Sequence, residues 1–330
     1  MRHLYVIGNG FDVHHHIPSR YLDFKKWVEE NDYDTISKLD EILGVWSGDD
    51  IWWNDCETNL GDVSVVKEYT ENVAFENQPD YGSDDYRDRD LYDAQIKVER
   101  DLGGLIENLK DDFQKWASLL PAGEYERIVK VEQKDAFFLT FNYSLTLESL
   151  YTIPASQILH IHGVAKDKES IVVGHGRSYS EIREEVDNDI PNPPENLSDE
   201  EYDEWCTEVA SQYEDDYPST QAKDAAADAV YSIRKDVEGI ITRNKRFFDS
   251  IAPVEFVHIY GFSFAQTDIP YIDAILSHIS AGKVSFEVSW YSDRDKERIQ
   301  SFFADRVGKY SELQLIRMDD IMLNLCPKLF

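Results

Sequence analysis

The sequence predicts an α/β protein with a Rossmann-like, mainly parallel sheet, and three observations carry that prediction. An apolar run, Leu4-Tyr5-Val6-Ile7, enters the glycine turn Gly8-Asn9-Gly10. Short, two-sided apolar runs then recur along the chain, as strands buried on both faces do. Between them lie stripes of helical period, and alternating β and α segments imply parallel strands covered by helices.

The strands are expected at 4–7, 136–141, 158–162, 171–174, 254–260, 284–291 and 313–317. Tyr21, Leu22, Phe24, Trp27 and Val28 form the first helical stripe, and Ile272, Ile275, Leu276 and Ile279 form another, entered through Asp268 and Pro270. A third comprises Ile299, Phe302, Phe303 and Val307. A short helix is expected over 145–150. One α/β domain spanning 1–330 is therefore read, interrupted by a helical insertion at 30–133 and an acidic one at 177–250. Residues 181–216 hold fifteen acidic residues against the single base Arg183, with Pro191, Pro193 and Pro194. That composition predicts an extended, charged loop acting as a lid or partner surface before helix resumes.

Composition narrows the function. With 42% apolar residues the chain can supply a core, and no run approaches the roughly 20 apolar residues of a membrane span. A cytoplasmic location without membrane contact is expected. A formal charge of −32 repels polyanions, so no nucleic-acid partner is expected. Cys56, Cys206 and Cys326 lie far apart, which suggests neither disulfides nor a cysteine zinc site, and each is read as an ordinary buried thiol.

Candidate site residues lie where strands end, because open parallel sheets bind ligands at their carboxyl edge. The turn Gly8-Asn9-Gly10-Phe11-Asp12 brings backbone N–H groups towards a diphosphate, with no Cβ in the way. Asp12 is read either as a partner of a ribose hydroxyl or as the cap of the helix that follows. At the end of the second strand, Thr140-Phe141-Asn142-Tyr143-Ser144 presents an uncharged amide able to hold a ribose hydroxyl or a water, although Asn142 and Ser144 also serve as helix caps. In Leu159-His160-Ile161-His162-Gly163, alternation puts both histidines on one face, His162 at the crevice and His160 one layer deeper in a structural place. An imidazole there suits proton abstraction from a hydroxyl or a water. Val172-Val173-Gly174-His175-Gly176 and Ile259-Tyr260-Gly261-Phe262-Ser263 offer two further strand ends of this kind.

In this order the motifs resemble the sirtuin-like NAD-binding superfamily and, within it, the AbiH-type bacteriophage abortive-infection proteins, over roughly 1–28, 134–176 and 254–292. Gly8-Asn9-Gly10-Phe11-Asp12, with Ile17-Pro18-Ser19 and Tyr21-Leu22-Asp23-Phe24 after it, is similar to the AbiH opening and more distantly to the sirtuin Gly-Ala-Gly turn. Thr140-Phe141-Asn142-Tyr143 resembles the Thr-x-Asn motif, His162-Gly163 the catalytic His-Gly, and Gly261-Phe262-Ser263 the Gly-x-Ser at the adenosine ribose. His14-His15-His16 shapes a turn, with His15 where AbiH-like sequences tend to have histidine. The resemblance implies phage defence through NAD, bound as substrate or ligand, with Asn142 orienting the nicotinamide ribose or a water and His162 as base. It implies NAD-bond hydrolysis restrained until infection, and leaves open a homo-oligomer or a regulatory partner protein.

Two departures stand out. Ser144 occupies the place of the acid in the Asn-x-Asp pattern, and the four-cysteine zinc module of protein-deacylating sirtuins is absent from the sequence, so protein deacetylation is not expected. Two rival readings accompany hydrolysis. One is an inactive NAD or ADP-ribose sensor. The other is a metal-dependent phosphoesterase built on Asp12-x-His14, His160-x-His162 and His175, although with Asp12 past a glycine turn no metal is expected.

Overall fold

The computed structural model describes residues 2–45, 48–120, 124–167, 170–187, 194, 197–210, 216–279, 284–304, 306 and 312–323. The chain divides into two compact units. The first comprises Met1–Trp27, Phe113–Val172 and Asp236–Phe330; the second comprises Val28–Asp112 and Val173–Lys235.

The first unit is built on six parallel strands: β1 His3–Ile7, β2 Ala136–Thr140, β3 Ile158–His160, β4 Phe256–Tyr260, β5 Ser285–Ser289 and β6 Glu312–Ile316, in spatial order β3-β2-β1-β4-β5-β6. This is the Rossmann-like α/β architecture predicted, with the strand order reversing between β1 and β4. Alternation explains why the runs look apolar throughout. Leu4, Val6, Leu139, Val257, Ile259, Phe286 and Val288 face a core completed by Ile272 and Ile275 of the helix Ile269–His278 and by Ile299, Phe302 and Phe303 of Asp293–Ala304. Tyr5, Ile7, Phe138 and Tyr260 face a second core with Phe11, Leu147 and Tyr151. Each such side chain contributes about 1.5–3 kcal/mol on burial.

Two strand expectations change. Residues 171–174 form no strand; Val172 N–H reaches back to the His162 carbonyl at 2.9 Å, and from Val173 the chain belongs to the second unit. β3 stops at His160 because Gly163, at φ +82°, turns the chain back so that its N–H donates to the His160 carbonyl. His162 thus stands on a loop beyond the strand.

The second unit is helical. Val63–Glu76 packs on Tyr217–Tyr231, which presents the small buried residues Ala222, Ala225 and Ala226. The acidic stretch is less extended than its composition suggested: 179–187 and 199–210 are helices, and Arg183 pairs with Asp224 at 2.6 Å. The prolines at 191 and 193 lie outside the described residues. Cys56 is buried whereas Cys206 is only partly so, a departure from the expectation, and Cys326 lies outside the described residues. Among the described residues no helix is long and apolar enough to cross a membrane.

Candidate active site

The register of β2 on β3 pairs Thr140 with His160, and Asn142 and His162 each follow two residues later. Parallel register therefore delivers both to the same carboxyl edge. Phe141 and Tyr143, on either side of Asn142, both contact the His162 ring, with centroids 5.2 and 6.2 Å away. The backbone of Asn142 is held at both ends: its N–H donates to Thr140 Oγ1 at 3.1 Å, and His160 Nδ1 lies 3.1 Å from its carbonyl oxygen. His160 Nε2 reaches Glu148 at 2.9 Å, so His160 is the supporting residue that its deeper position suggested.

His162 is buried in a cage of Phe141, Tyr143 and Tyr271 rings. Its Nε2 lies 3.6 Å from Asp268 Oδ1. Asp268 occupies the N-cap position of the helix Ile269–His278 but makes no side-chain capping bond. Its carboxylate lies beside the imidazole. Sequence reasoning treated Asp268 as a helix entry and missed this pairing; an Asp ahead of Ile269-Pro270 is an ordinary helix-start signal, and nothing local marks it as a partner of His162.

Ser144, standing where the family pattern has an acid, donates its hydroxyl to Asp12 Oδ2 and lies 2.9 Å from Thr146 Oγ1. A carboxyl group is thus present beside position 144, supplied by another segment of the chain. Burial drives the Asp12 carboxyl above its ordinary range, against the Ser144, Thr146 and Asn142 side chains and nearby His160, which favour the charged form. Asp12 does not make a side-chain cap, since it lies inside the helix Asn9–His14, whose N-cap is Gly8.

The glycine turn is used differently from the expectation. Gly8 N–H donates to the Tyr260 carbonyl at 2.9 Å and Gly10 N–H to that of Gly261 at 2.8 Å, so these amides join the β1 and β4 turns and are not open to a diphosphate. A Cβ on Gly8 would lie 2.6 Å from Gly261 O, and one on Gly10 2.8 Å from Gly261 Cα. The glycines are needed because two backbone turns touch at the point where strand order reverses. Asn9 Nδ2 donates to the Ser19 carbonyl at 2.8 Å, and Phe11 is fully buried.

His15 is corrected to a structural residue. Its Nδ1 faces the Phe11 carbonyl and its Nε2 the Tyr151 hydroxyl, both at 2.8 Å, and burial pushes its pKa down to about 4. Tyr143 hydroxyl donates to the Val172 carbonyl at 2.7 Å. Gly163 serves the turn that follows His162, since a Cβ there would lie 2.0 Å from Ser170 O. Ser263 remains exposed, accepting from Ala265 N–H at 3.3 Å.

The ligand set of the metal reading is dispersed among other bonds. His160 is engaged at both nitrogens, and in the second unit His175 Nε2 donates to the Val230 carbonyl while Nδ1 accepts from Arg177 N–H. Among the described residues no three His, Cys, Asp or Glu side chains gather as a metal site would need.

A family model described as bacteriophage abortive infection AbiH matches residues 4–290. No curated protein and no solved structure matches the chain.

Proposed function

The chain belongs to the bacteriophage abortive infection AbiH family, which gives it a role in phage abortive infection, and from that premise we propose that it binds NAD at the carboxyl edge of β2 and β3 and hydrolyses its N-glycosidic bond. One observation carries the reading: Asn142 and His162 leave register-paired strand ends, and the rings flanking the first pack on the second. The buried Asn142 Oδ1 there has no hydrogen-bond partner among the described residues. Buried polar atoms in that condition suit a ligand that brings its own donors, as ribose hydroxyls do.

In this reading Asn142 fixes the nicotinamide ribose or the attacking water through its amide. His162, steadied by Asp268, takes the proton from that water or hydroxyl as the C–N bond breaks. Nicotinamide departs neutral, because the bonding electrons cancel the charge on its ring nitrogen, so no strong general acid is required. Base assistance of this kind contributes about 10²–10⁴-fold, with orientation adding to it. The close approach of the Gly8 and Gly261 turns leaves Ser263 and the exposed surface beside it for the adenosine half. The sirtuin-like likeness of the motifs supports the same ligand, and the cytoplasm is the compartment in which such an enzyme would act.

A second reading, NAD or ADP-ribose sensing without turnover, is favoured by the enclosure of His162 and by the engaged amides of Gly8 and Gly10. Incubating the purified protein with NAD⁺ and following nicotinamide by chromatography separates the two. Release lost in Asn142→Ala and in His162→Ala supports hydrolysis. Saturable binding without release supports the sensor.

A further inference from the structure

Asp12 is 1% and Asn142 6% exposed, yet Asp12 Oδ1 and Asn142 Oδ1 each lack a hydrogen-bond donor among the described residues. The two side chains lie within interaction range, because the Asn142 side chain is one of the groups that favour the Asp12 carboxylate. The Asn142 amide can meet the Asp12 carboxyl in two ways: Nδ2–H donates to the charged carboxylate, or a protonated Asp12 donates to Asn142 Oδ1.

The surroundings restrict the change to this one side chain. The Asn142 backbone is held through Thr140 Oγ1 and His160 Nδ1, and the far oxygen of Asp12 is held by Ser144. The outward end of the amide is then dictated by the acid. A charged Asp12 takes Nδ2 and leaves the carbonyl oxygen for a ligand; a neutral Asp12 takes the oxygen and leaves the NH₂.

We propose that Asp12 is a positioning residue that sets which end of the Asn142 amide faces the ligand, switching the site between accepting a hydrogen bond from a hydroxyl and donating one to it. This rests on the reading of Asn142 as the ligand-facing amide. Groups facing Asp12 are Ser144, Thr146 and Asn142 on the segment after β2 and His160 on β3, itself 2.9 Å from Glu148; His14 shares its own helix and His15 is the C-cap of that helix. Burial favours the neutral acid and the Ser144 hydroxyl opposes it, so loss of Ser144 moves the switch to higher pH.

The test uses full-length protein labelled with ¹⁵N-asparagine, in which the Asn142 NH₂ signal is assigned by its loss in Asn142→Ala. In the wild type that signal should shift in a single step as pH rises through a value above the ordinary aspartate range. Asp12→Asn, which donates permanently, should abolish the step, and Ser144→Ala should displace its midpoint upward. Should Asp12→Asn fail to fold, the Ser144→Ala midpoint decides. No step in the wild type, a step retained in Asp12→Asn, or a midpoint unmoved in Ser144→Ala overturns the proposal. Saturating NAD⁺ is then added. An intact step with no NAD⁺-induced shift of the Asn142 signal supports the coupling of the two side chains and overturns the NAD reading alone.

Discussion

His162 Nε2 lies 3.6 Å from Asp268 Oδ1, 106 residues further along the chain, and the carboxylate makes no capping bond to the helix it precedes. This places an acid where it can stabilise the charge that ring gains on accepting a proton. His162→Ala should lower kcat for nicotinamide release by about 10²–10⁴-fold. Asp268→Asn should lower it by a smaller factor with KM little changed, because it alters the base and not the binding of substrate. Steady-state kinetics on the two variants checks the split; an Asp268→Asn enzyme with wild-type kcat removes Asp268 from the account.

The second prediction concerns the interlocked turns. Gly261 has φ +63°, and a Cβ there would lie 2.1 Å from Phe11 N; Gly44 has φ +61° but nothing within 4 Å of its Cβ. Gly44→Ala therefore meets only the left-handed backbone cost of about 1–2 kcal/mol. Gly261→Ala must in addition push two backbone segments apart. Urea unfolding should show the larger loss for Gly261→Ala, and equal losses would mean that the turns are not in contact.

The third is a pH effect. The native pKa of His15 is pushed down to about 4 from the ordinary 6.5, so between those values the unfolded chain holds a proton that the folded one does not. Stability from this group is complete above pH 6.5 and falls as pH drops towards 4, by roughly 3 kcal/mol in all. His3, His14 and His175 are also lowered by burial and act with the same sign. His15→Gln should flatten part of the decline in unfolding free energy between pH 7 and 5. A slope identical to wild type would show that His15 is not buried neutral.

In the second unit, Lys235 is 1% exposed and its Nζ lies 2.7 Å from Glu57 Oε2. Removing one partner of a buried pair costs about 3–5 kcal/mol. The carboxylate is the more exposed member, at 20% of its side chain, so Glu57→Gln should destabilise more than Lys235→Met. Comparison of the two denaturation midpoints tests the order, and the reverse order would contradict it.

The strands were legible because burial on both faces makes them apolar throughout, and Gly8, Asn142 and His162 stood out as candidates because glycine, amide and imidazole residues at strand ends are conspicuous. What those residues touch was not. The Gly8-Gly10 pair is readable as a close-approach turn, but one glycine turn cannot reveal that its neighbour is another, at Gly261. Ser144 and Asp12 are 132 residues apart, so the serine reads alone as a missing acid, and only the fold brings the acid back. Residues 171–174 have the apolar content of a strand, but Val172 bonds to the His162 carbonyl and the chain then leaves the sheet. The acidic stretch misled because its charge suggested extension, while its helical segments gain from acidic first turns such as Asp199, Glu200 and Glu201.

The most direct measurement is a crystal structure of the wild-type protein with a carbocyclic NAD⁺ analogue whose glycosidic position resists cleavage. The nicotinamide end should lie at the carboxyl edge of β2 and β3, with a ribose hydroxyl or a water within about 2.6–3.2 Å of both the Asn142 amide and the His162 imidazole. Analogue bound elsewhere on the protein, or none bound at saturating concentration, would contradict that placement.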